Sequence, residues 1–199
     1  MPDQTFTSGQ ILTAAQMTSL QSNTGLVAMT PSSVSGTGVS LSGNTATITA
    51  ASTASIIGCF TSAFTNYVMV YNLTATSDYL RMRLRTASAD ISTGYGNTQA
   101  LITDNSTTVG FLNSGAASWN DTRWLIAANT QAYGTMTLYN PQKAASTFYT
   151  ADVSTISSTN SMRLFGSGRN TGTDVCTGLT IFPDTGTFTG TVTVYGYRL

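Results

Sequence analysis

The residues of this chain that could do chemistry are few, and their types exclude the common catalytic arrangements. The 199-residue sequence contains no His and no Glu, and Lys143 is its only lysine. Without His, neither a Ser–His nor a Cys–His nucleophile pair can form, and no imidazole can bind a metal. The eight acidic residues are all Asp, mostly in predicted turns, where Asp is a common turn former. We predict a protein that is not an enzyme, without catalytic residues, cofactor or metal site.

One stretch of the sequence combines aromatic rings with planar polar groups, which is the chemistry that commonly binds sugars. It contains Trp119, Asn120, Asp121 and Tyr133. Trp124 falls in the middle of a predicted strand, where Trp is usually part of a core, whereas Trp119 lies beside a turn. The pattern therefore predicts a glycan-binding site at Trp119, Asn120, Asp121 and Tyr133, with an ordinary packing role for these rings as the alternative.

Three arginines point to the same face of one predicted strand. Over Tyr79–Thr86, Arg81, Arg83 and Arg85 alternate with apolar residues, and like charges on one strand face repel each other unless they are paired or solvated. Two interpretations fit this pattern. The arginines contact an anionic ligand or a neighbouring subunit, or they form an exposed face that is paired with Asp on a neighbouring strand.

The low charge content of the chain indicates which classes of partner it is expected to bind. Only 8% of the residues are charged, against about 25% in ordinary domains, and the net charge is zero. A nucleic-acid-binding protein would show a basic patch, so nucleic acid is not expected as a partner. Little self-repulsion suits packing with copies of the same chain, although the source lineage could simply favour Ser/Thr-rich surfaces. No apolar stretch approaches the ~18 residues needed to span a membrane, so we expect no membrane insertion.

The two cysteines are predicted to be buried free thiols rather than a disulfide. Cys59 and Cys176 lie far apart in the sequence, and both sit in apolar, strand-like runs. A single pair of this kind is not a disulfide framework.

A short helix is predicted near the N-terminus, over residues 14–22. Thr13 and Gln16 form a capping box, and Leu12 and Met17 occupy the positions of a hydrophobic staple. Leu20 follows on the same face. A helix this short is unstable alone in water, so its apolar stripe must dock on a partner or on its own domain.

The rest of the chain predicts an all-β fold. Residues 23–44 are rich in Ser, Thr and Gly and are interpreted as an extended linker arm, which follows an anchor segment at 1–22 and precedes a domain at 45–199. About a dozen short alternating runs separated by polar turns predict a two-sheet sandwich of jelly-roll type. The predicted strands are 45–50, 55–60, 66–74, 79–86, 99–103, 107–112, 122–127, 134–139, 147–151, 161–165, 175–182 and 190–197.

Several segments resemble tailed-bacteriophage virion proteins. The stretch Phe6-Thr-Ser-Gly-Gln-Ile-Leu-Thr-Ala-Ala-Gln-Met-Thr-Ser-Leu20 is similar to their N-terminal segment, and residues 59–67, 80–85 and 192–197 are similar to parts of their sandwich domain. The resemblance implies a virion location, with Phe6, Leu12, Met17 and Leu20 docking on another virion protein: the portal, tail, fibre or major capsid protein. It also implies a projecting domain that is often a homotrimer.

Two hypotheses about function follow, and a third is weaker. In the first, the protein is a fibre or tail-associated component that attaches to host surface glycan. In the second, it is a capsid decoration or cement protein that stabilises the head. A free carbohydrate-binding module of a bacterium is the third, and the docking helix and the absence of a signal peptide argue against it.

Overall fold

The computed structural model of the chain describes residues 25–76, 80–103, 106–119, 131–157 and 160–197, together with the single positions 9, 11, 13 and 14. Over these residues the chain forms fourteen strands: β1 (Val27–Ala28), β2 (Ser33–Ser35), β3 (Val39–Ser42), β4 (Thr45–Ala51), β5 (Ala54–Ile57), β6 (Asn66–Ala75), β7 (Leu80–Arg85), β8 (Tyr95–Thr103), β9 (Ser106–Ala116), β10 (Gln131–Tyr139), β11 (Thr147–Ser157), β12 (Asn160–Asn170), β13 (Gly178–Pro183) and β14 (Phe188–Tyr197).

The strands build two antiparallel sheets of unequal size. The large sheet has ten strands in the order β3-β4-β14-β6-β10-β11-β12-β8-β9, with β1 paired to the end of β14. The small sheet has four strands in the order β2-β5-β13-β7. The apolar faces of both sheets meet in one continuous core. The prediction of an all-β, two-sheet sandwich is therefore confirmed.

Strand alternation explains which residues fill the core. In β7 the apolar residues Leu80, Met82 and Leu84 are fully buried while the arginines between them remain partly exposed. Strand β6 contributes Met69 and Leu73 to the same core, opposite the small sheet. Side chains of a strand point alternately to its two faces, so this period of two places one set against the other sheet.

The segment predicted as a linker belongs to the sandwich over its described residues. Strand β2 pairs with β5 in the small sheet, and β3 pairs with β4 in the large sheet. Gly36 and Gly38, both with positive φ, make the turn between β2 and β3. The linker interpretation is wrong for 25–44, because backbone pairing with β4 and β5 holds even a Ser/Gly-rich sequence in an extended form.

Two further predictions fall largely outside the described residues. Of the predicted helix over 14–22 only Ala14 is described, and Phe6, Leu12, Met17 and Leu20 lie outside the described residues. The predicted strand 122–127 lies outside them as well. The anchor segment at 1–22 thus stays a prediction.

Strands β10, β11, β12 and β8 lie side by side in the large sheet, and their register is continuous. Tyr133 on β10 lies opposite Ser154 on β11, which lies opposite Arg163 on β12, which lies opposite Ile102 on β8. We call the solvent side of these four strands the outer face; it carries the exposed or half-exposed side chains of Tyr133, Thr135, Thr137, Tyr139, Phe148, Thr150, Asp152, Ser154, Arg163, Phe165, Ser167, Arg169, Thr98 and Ile102.

Gly190 provides a test of this packing. It has φ of 142° at an irregularity in the pairing of β14 with β4, and a Cβ there would lie 2.0 Å from the carbonyl oxygen of Asn72. Gly190→Ala should therefore lower the free energy of unfolding by roughly 3 kcal/mol, from backbone strain plus the clash. In the control Gly43→Ala, φ is also positive but nothing lies within 4 Å of the new Cβ. Its cost should be about 1 kcal/mol, as measured by denaturant unfolding. Equal losses in the two variants would contradict the packing described for β14.

Candidate functional site

Trp119 is a core residue and not a surface ring. Its side chain is 0% exposed and lies between two tyrosines, with ring centroids 5.2 Å from Tyr95 and 4.6 Å from Tyr149. The indole Nε1 donates a hydrogen bond of 3.1 Å to the carbonyl oxygen of Arg169. The prediction that Trp119 contacts a sugar is therefore wrong, because its backbone bridges to Met82 of β7 and carries the ring between the sheets. Asn120 and Asp121, predicted beside it, lie outside the described residues.

Tyr133 is positioned differently. Its side chain is 55% exposed and lies on the outer face, where its neighbours across the strands are Asn72 of β6 and Ser154 of β11. A tyrosine at this position presents an aromatic surface and a hydroxyl to solvent on a backbone that is hydrogen-bonded on both sides. Of the four residues predicted for glycan binding, Tyr133 is the one whose described position is open to a ligand.

A depression of about 520 Å³ surrounds Tyr133, and its lining is both apolar and polar. Ile102 forms one wall, and Gln131, Ser154 and Arg163 supply polar groups. The amide of Gln131 donates a 2.7 Å hydrogen bond to Asn72 Oδ1, which orients both amides beside the tyrosine. The volume is within the range of small-molecule sites.

Arg163 is held at this depression by two contacts. It makes a bidentate pair with Asp152, with Nε 2.9 Å from Oδ1 and Nη2 2.6 Å from Oδ2. The guanidinium also lies 4.6 Å from the ring centroid of Phe165. Hydrogen bonding to Arg163 lowers the pKa of the Asp152 carboxyl, so the pair stays ionised above acidic pH. Sequence reasoning missed Arg163 and Asp152, since only the pairing of β11 with β12 brings them beside Tyr133.

A second depression of about 460 Å³ lies at the opposite end of the outer face. Tyr139, Phe148 and Arg169 form one row across β10, β11 and β12. The next row contains Thr150, and it also contains Ser167 and Thr98, whose hydroxyl oxygens are 2.9 Å apart. Both depressions therefore combine aromatic surface with hydroxyl and guanidinium groups.

The arginines of β7 lie on the outside of the small sheet, away from both depressions. Arg81 makes an ion pair with Asp184, and Arg85 pairs with Asp90 at 2.6 Å. Arg83 Nε donates to the carbonyl oxygen of Ala117 at 3.0 Å, and its guanidinium lies 4.9 Å from the ring centroid of Phe182. Two of the three are thus paired with Asp of the same chain, as the second interpretation expects, but the partners lie outside the strands: Asp184 directly follows β13, and Asp90 lies between β7 and β8. A contact with another subunit stays a prediction.

Cys59 and Cys176 are buried free thiols, as predicted. Burial raises the pKa of each thiol to about 12. A thiolate is the reactive form, so both groups are weak nucleophiles at neutral pH. Burial likewise raises the pKa values of the Tyr71 and Tyr95 hydroxyls.

The chain was compared with protein-family models, curated proteins and solved structures. No protein-family model matches the chain, and no significant match was found among curated proteins or solved structures. Within the described ranges, no group of three or more His, Cys, Asp or Glu side chains could hold a metal ion. The part of the chain that the structure describes also has no helix long and apolar enough to cross a membrane.

The buried thiols predict a loss of stability at alkaline pH. Their folded-state pKa of about 12 lies above the unfolded value of about 8.5, so their contribution is complete below pH 8.5 and is lost as pH rises toward 12. Each thiol should remove about 2 kcal/mol between pH 8 and pH 10. Urea unfolding at both pH values measures this loss. The double variant Cys59→Ala and Cys176→Ala should show a clearly smaller loss, and an unchanged loss would refute the assignment to the thiols.

Proposed function

We propose that this protein is a non-enzymatic structural component of a bacteriophage particle, of the fibre or tail-associated kind, and that its β-sandwich contacts carbohydrate on the host surface. The observation that carries the binding part is the exposed Tyr133 ring, set in a depression beside Gln131, Asn72 and the Arg163–Asp152 pair. An aromatic surface with planar amide, carboxylate and guanidinium groups around it suits a sugar, which offers C–H groups on its face and hydroxyls at its edge.

The location of these groups on paired strands also favours a binding role. Tyr133 lies in the middle of the sheet, with β6 on one side and β11 on the other. Groups on such a backbone are already ordered before a ligand arrives, which lowers the entropic cost of binding. Weak sugar contacts benefit most from such preorganisation, because each contributes little by itself.

The strand order supports a jelly-roll assignment, which we also propose. Strands β4, β14, β6 and β10 lie side by side in one sheet, and β5, β13 and β7 lie side by side in the other. The backbone bridge between Trp119 and Met82 takes the position of an eighth strand next to β7. The hairpins β8–β9 and β11–β12 then extend one sheet. Jelly rolls occur in viral capsid and lectin domains, so this analogy fits a virion protein that binds sugar without assigning either role by itself.

The proposed location in a bacteriophage particle is supported by features of the amino-acid sequence. Its supports are the resemblance of residues 6–20, 59–67, 80–85 and 192–197 to phage virion proteins, and the predicted docking residues Phe6, Leu12, Met17 and Leu20. A zero net charge suits assembly with copies of the same chain and with other virion proteins. A homotrimer is the proposed state, as the resemblance implies.

One observation favours capsid decoration as a second candidate. Several large apolar side chains are exposed on the solvent side of the large sheet, among them Val70, Ile102 and Phe165. Phe165 and Ile102 lie diagonally across the paired strands β12 and β8, and neighbouring exposed apolar side chains can mark a protein–protein contact. Copy number per particle separates the two roles, measured by quantitative mass spectrometry of purified virions and by the position of the protein in an electron-microscopy map. Hundreds of copies on the head would support decoration, whereas a few to a few dozen on the tail would support the fibre role.

Binding of host polysaccharide tests the Tyr133 site directly. The full-length protein is screened against purified surface polysaccharides of the host, and the affinity of the best ligand is measured by calorimetry. Tyr133→Ala should weaken this affinity about tenfold, since the sugar loses its stacking surface. The control Val175→Ala removes another exposed apolar side chain, in the segment between β12 and β13 that does not line this depression, and should leave the affinity unchanged. Absence of binding to every polysaccharide, or equal affinity in Tyr133→Ala and the parent protein, would reject the site.

A further inference from the structure

Arg169 is the cation of the outer face that has no carboxylate partner among the described residues. Of the five arginines that the structure describes, Arg81, Arg85 and Arg163 each pair with an Asp. Arg169 is exposed, and within the described ranges no carboxylate oxygen lies within 4.0 Å of its guanidinium. The guanidinium group, which carries five N–H donors, therefore lies beside the second depression, where it can bind an anion.

The neighbours of Arg169 add an aromatic wall. Phe148 is directly opposite it on β11 and is 46% exposed, and Tyr139 continues the row on β10. Side chains directly opposite each other in an antiparallel pair have Cβ atoms about 5 Å apart, so ring and guanidinium bound the same space. On the other side of Arg169 the row continues at Gly96, which has no side chain to fill the position.

Hydroxyl groups complete the lining. One row further along, Thr150 on β11, Ser167 on β12 and Thr98 on β8 point to the same side of the sheet. The Ser167 and Thr98 oxygens are 2.9 Å apart, so each retains hydrogen-bonding capacity toward a ligand. The depression thus offers one positive charge without a carboxylate partner among the described residues, one flat apolar wall and several neutral hydrogen-bonding groups.

We propose that the second depression binds the carboxylate-bearing unit of an acidic polysaccharide, with the carboxylate on Arg169 and the sugar ring against Phe148. This inference rests on the proposed glycan-binding function and specifies its ligand class as uronic-acid-containing. A carboxylate matches the guanidinium fork, because two parallel N–H···O bonds can form. The sugar hydroxyls can form hydrogen bonds with Thr150, Ser167 and Thr98. A neutral sugar has no carboxylate to pair with Arg169, so it should bind this site more weakly.

Trp119 fixes this site from inside the sandwich. Its indole N–H donates a hydrogen bond to the backbone carbonyl of Arg169. This bond connects the strand that carries the guanidinium to the core. Binding would therefore need little rearrangement of the backbone. Because the guanidinium is exposed, the interaction should weaken as salt increases.

The test compares uronates with matched neutral sugars. Galacturonate and glucuronate oligosaccharides, and the same oligosaccharides after reduction of their carboxyl groups, are titrated into the ¹⁵N-labelled full-length protein and followed by NMR. We expect the uronates to shift the amide signals of Phe148 and Arg169, with at least tenfold weaker binding for the reduced forms. Arg169→Gln should weaken uronate binding about tenfold or more, whereas Arg169→Lys should weaken it only a few-fold.

A second charge-removing variant controls for a general effect of net charge on binding. Lys143→Gln removes the exposed positive charge of the turn between β10 and β11, which does not line the depression, and should change the affinity less than twofold. Uronate binding that is unaffected by Arg169→Gln, equal binding of acidic and reduced sugars, or no uronate binding would each overturn the inference. If neutral polysaccharides still bind through Tyr133 in those cases, the proposed function stands without it. If no sugar of either kind binds, the inference and the proposed glycan-binding function both fail.

Discussion

The register that joins β10, β11, β12 and β8 is the constraint on which both the core and the outer face depend. Side chains alternate along each strand, so the pairing that buries Met136, Val153 and Leu164 also turns Tyr133 and Arg163 outward. A slip by one residue would exchange the two sets and bury a charged group without water. The stability of the core and the geometry of the candidate site are therefore set by the same hydrogen bonds.

Trp119 links this extended part of the large sheet to the small sheet. Its backbone pairs with Met82 of β7, its ring packs between Tyr95 and Tyr149, and its indole nitrogen bonds to β12 at Arg169. Such a residue has no surface left for a ligand, yet it determines where the strand carrying Arg169 lies. Its contribution to any binding is thus indirect, through the position of the backbone.

The sequence predicted the two-sheet sandwich because alternation is a local property, clearest over residues 80–85. It did not predict the strands within 25–44, whose Ser- and Gly-rich sequence becomes extended only when β4 and β5 are present to pair with it. Trp119 was misplaced for a similar reason, since its indole partner is 50 residues away. Tyr133 belongs to the candidate site on the basis of its residue type, whereas Arg163 and Arg169 became candidates only when the register placed them beside aromatic rings.

Because the chain has few charged residues, the two ends of the outer face differ in net charge. At the Tyr133 end, Arg163 is neutralised by Asp152, so a ligand meets a dipolar group without net charge. Six residues further along β12, about 20 Å away, Arg169 presents a positive charge with no carboxylate partner among the described residues. An elongated ligand with one acidic unit would bind with a more favourable free energy when that unit lies at Arg169 than in the reverse orientation, because electrostatic complementarity selects the binding register. A polysaccharide has a direction along its chain, so a face with two unlike ends could align it where two identical depressions could not.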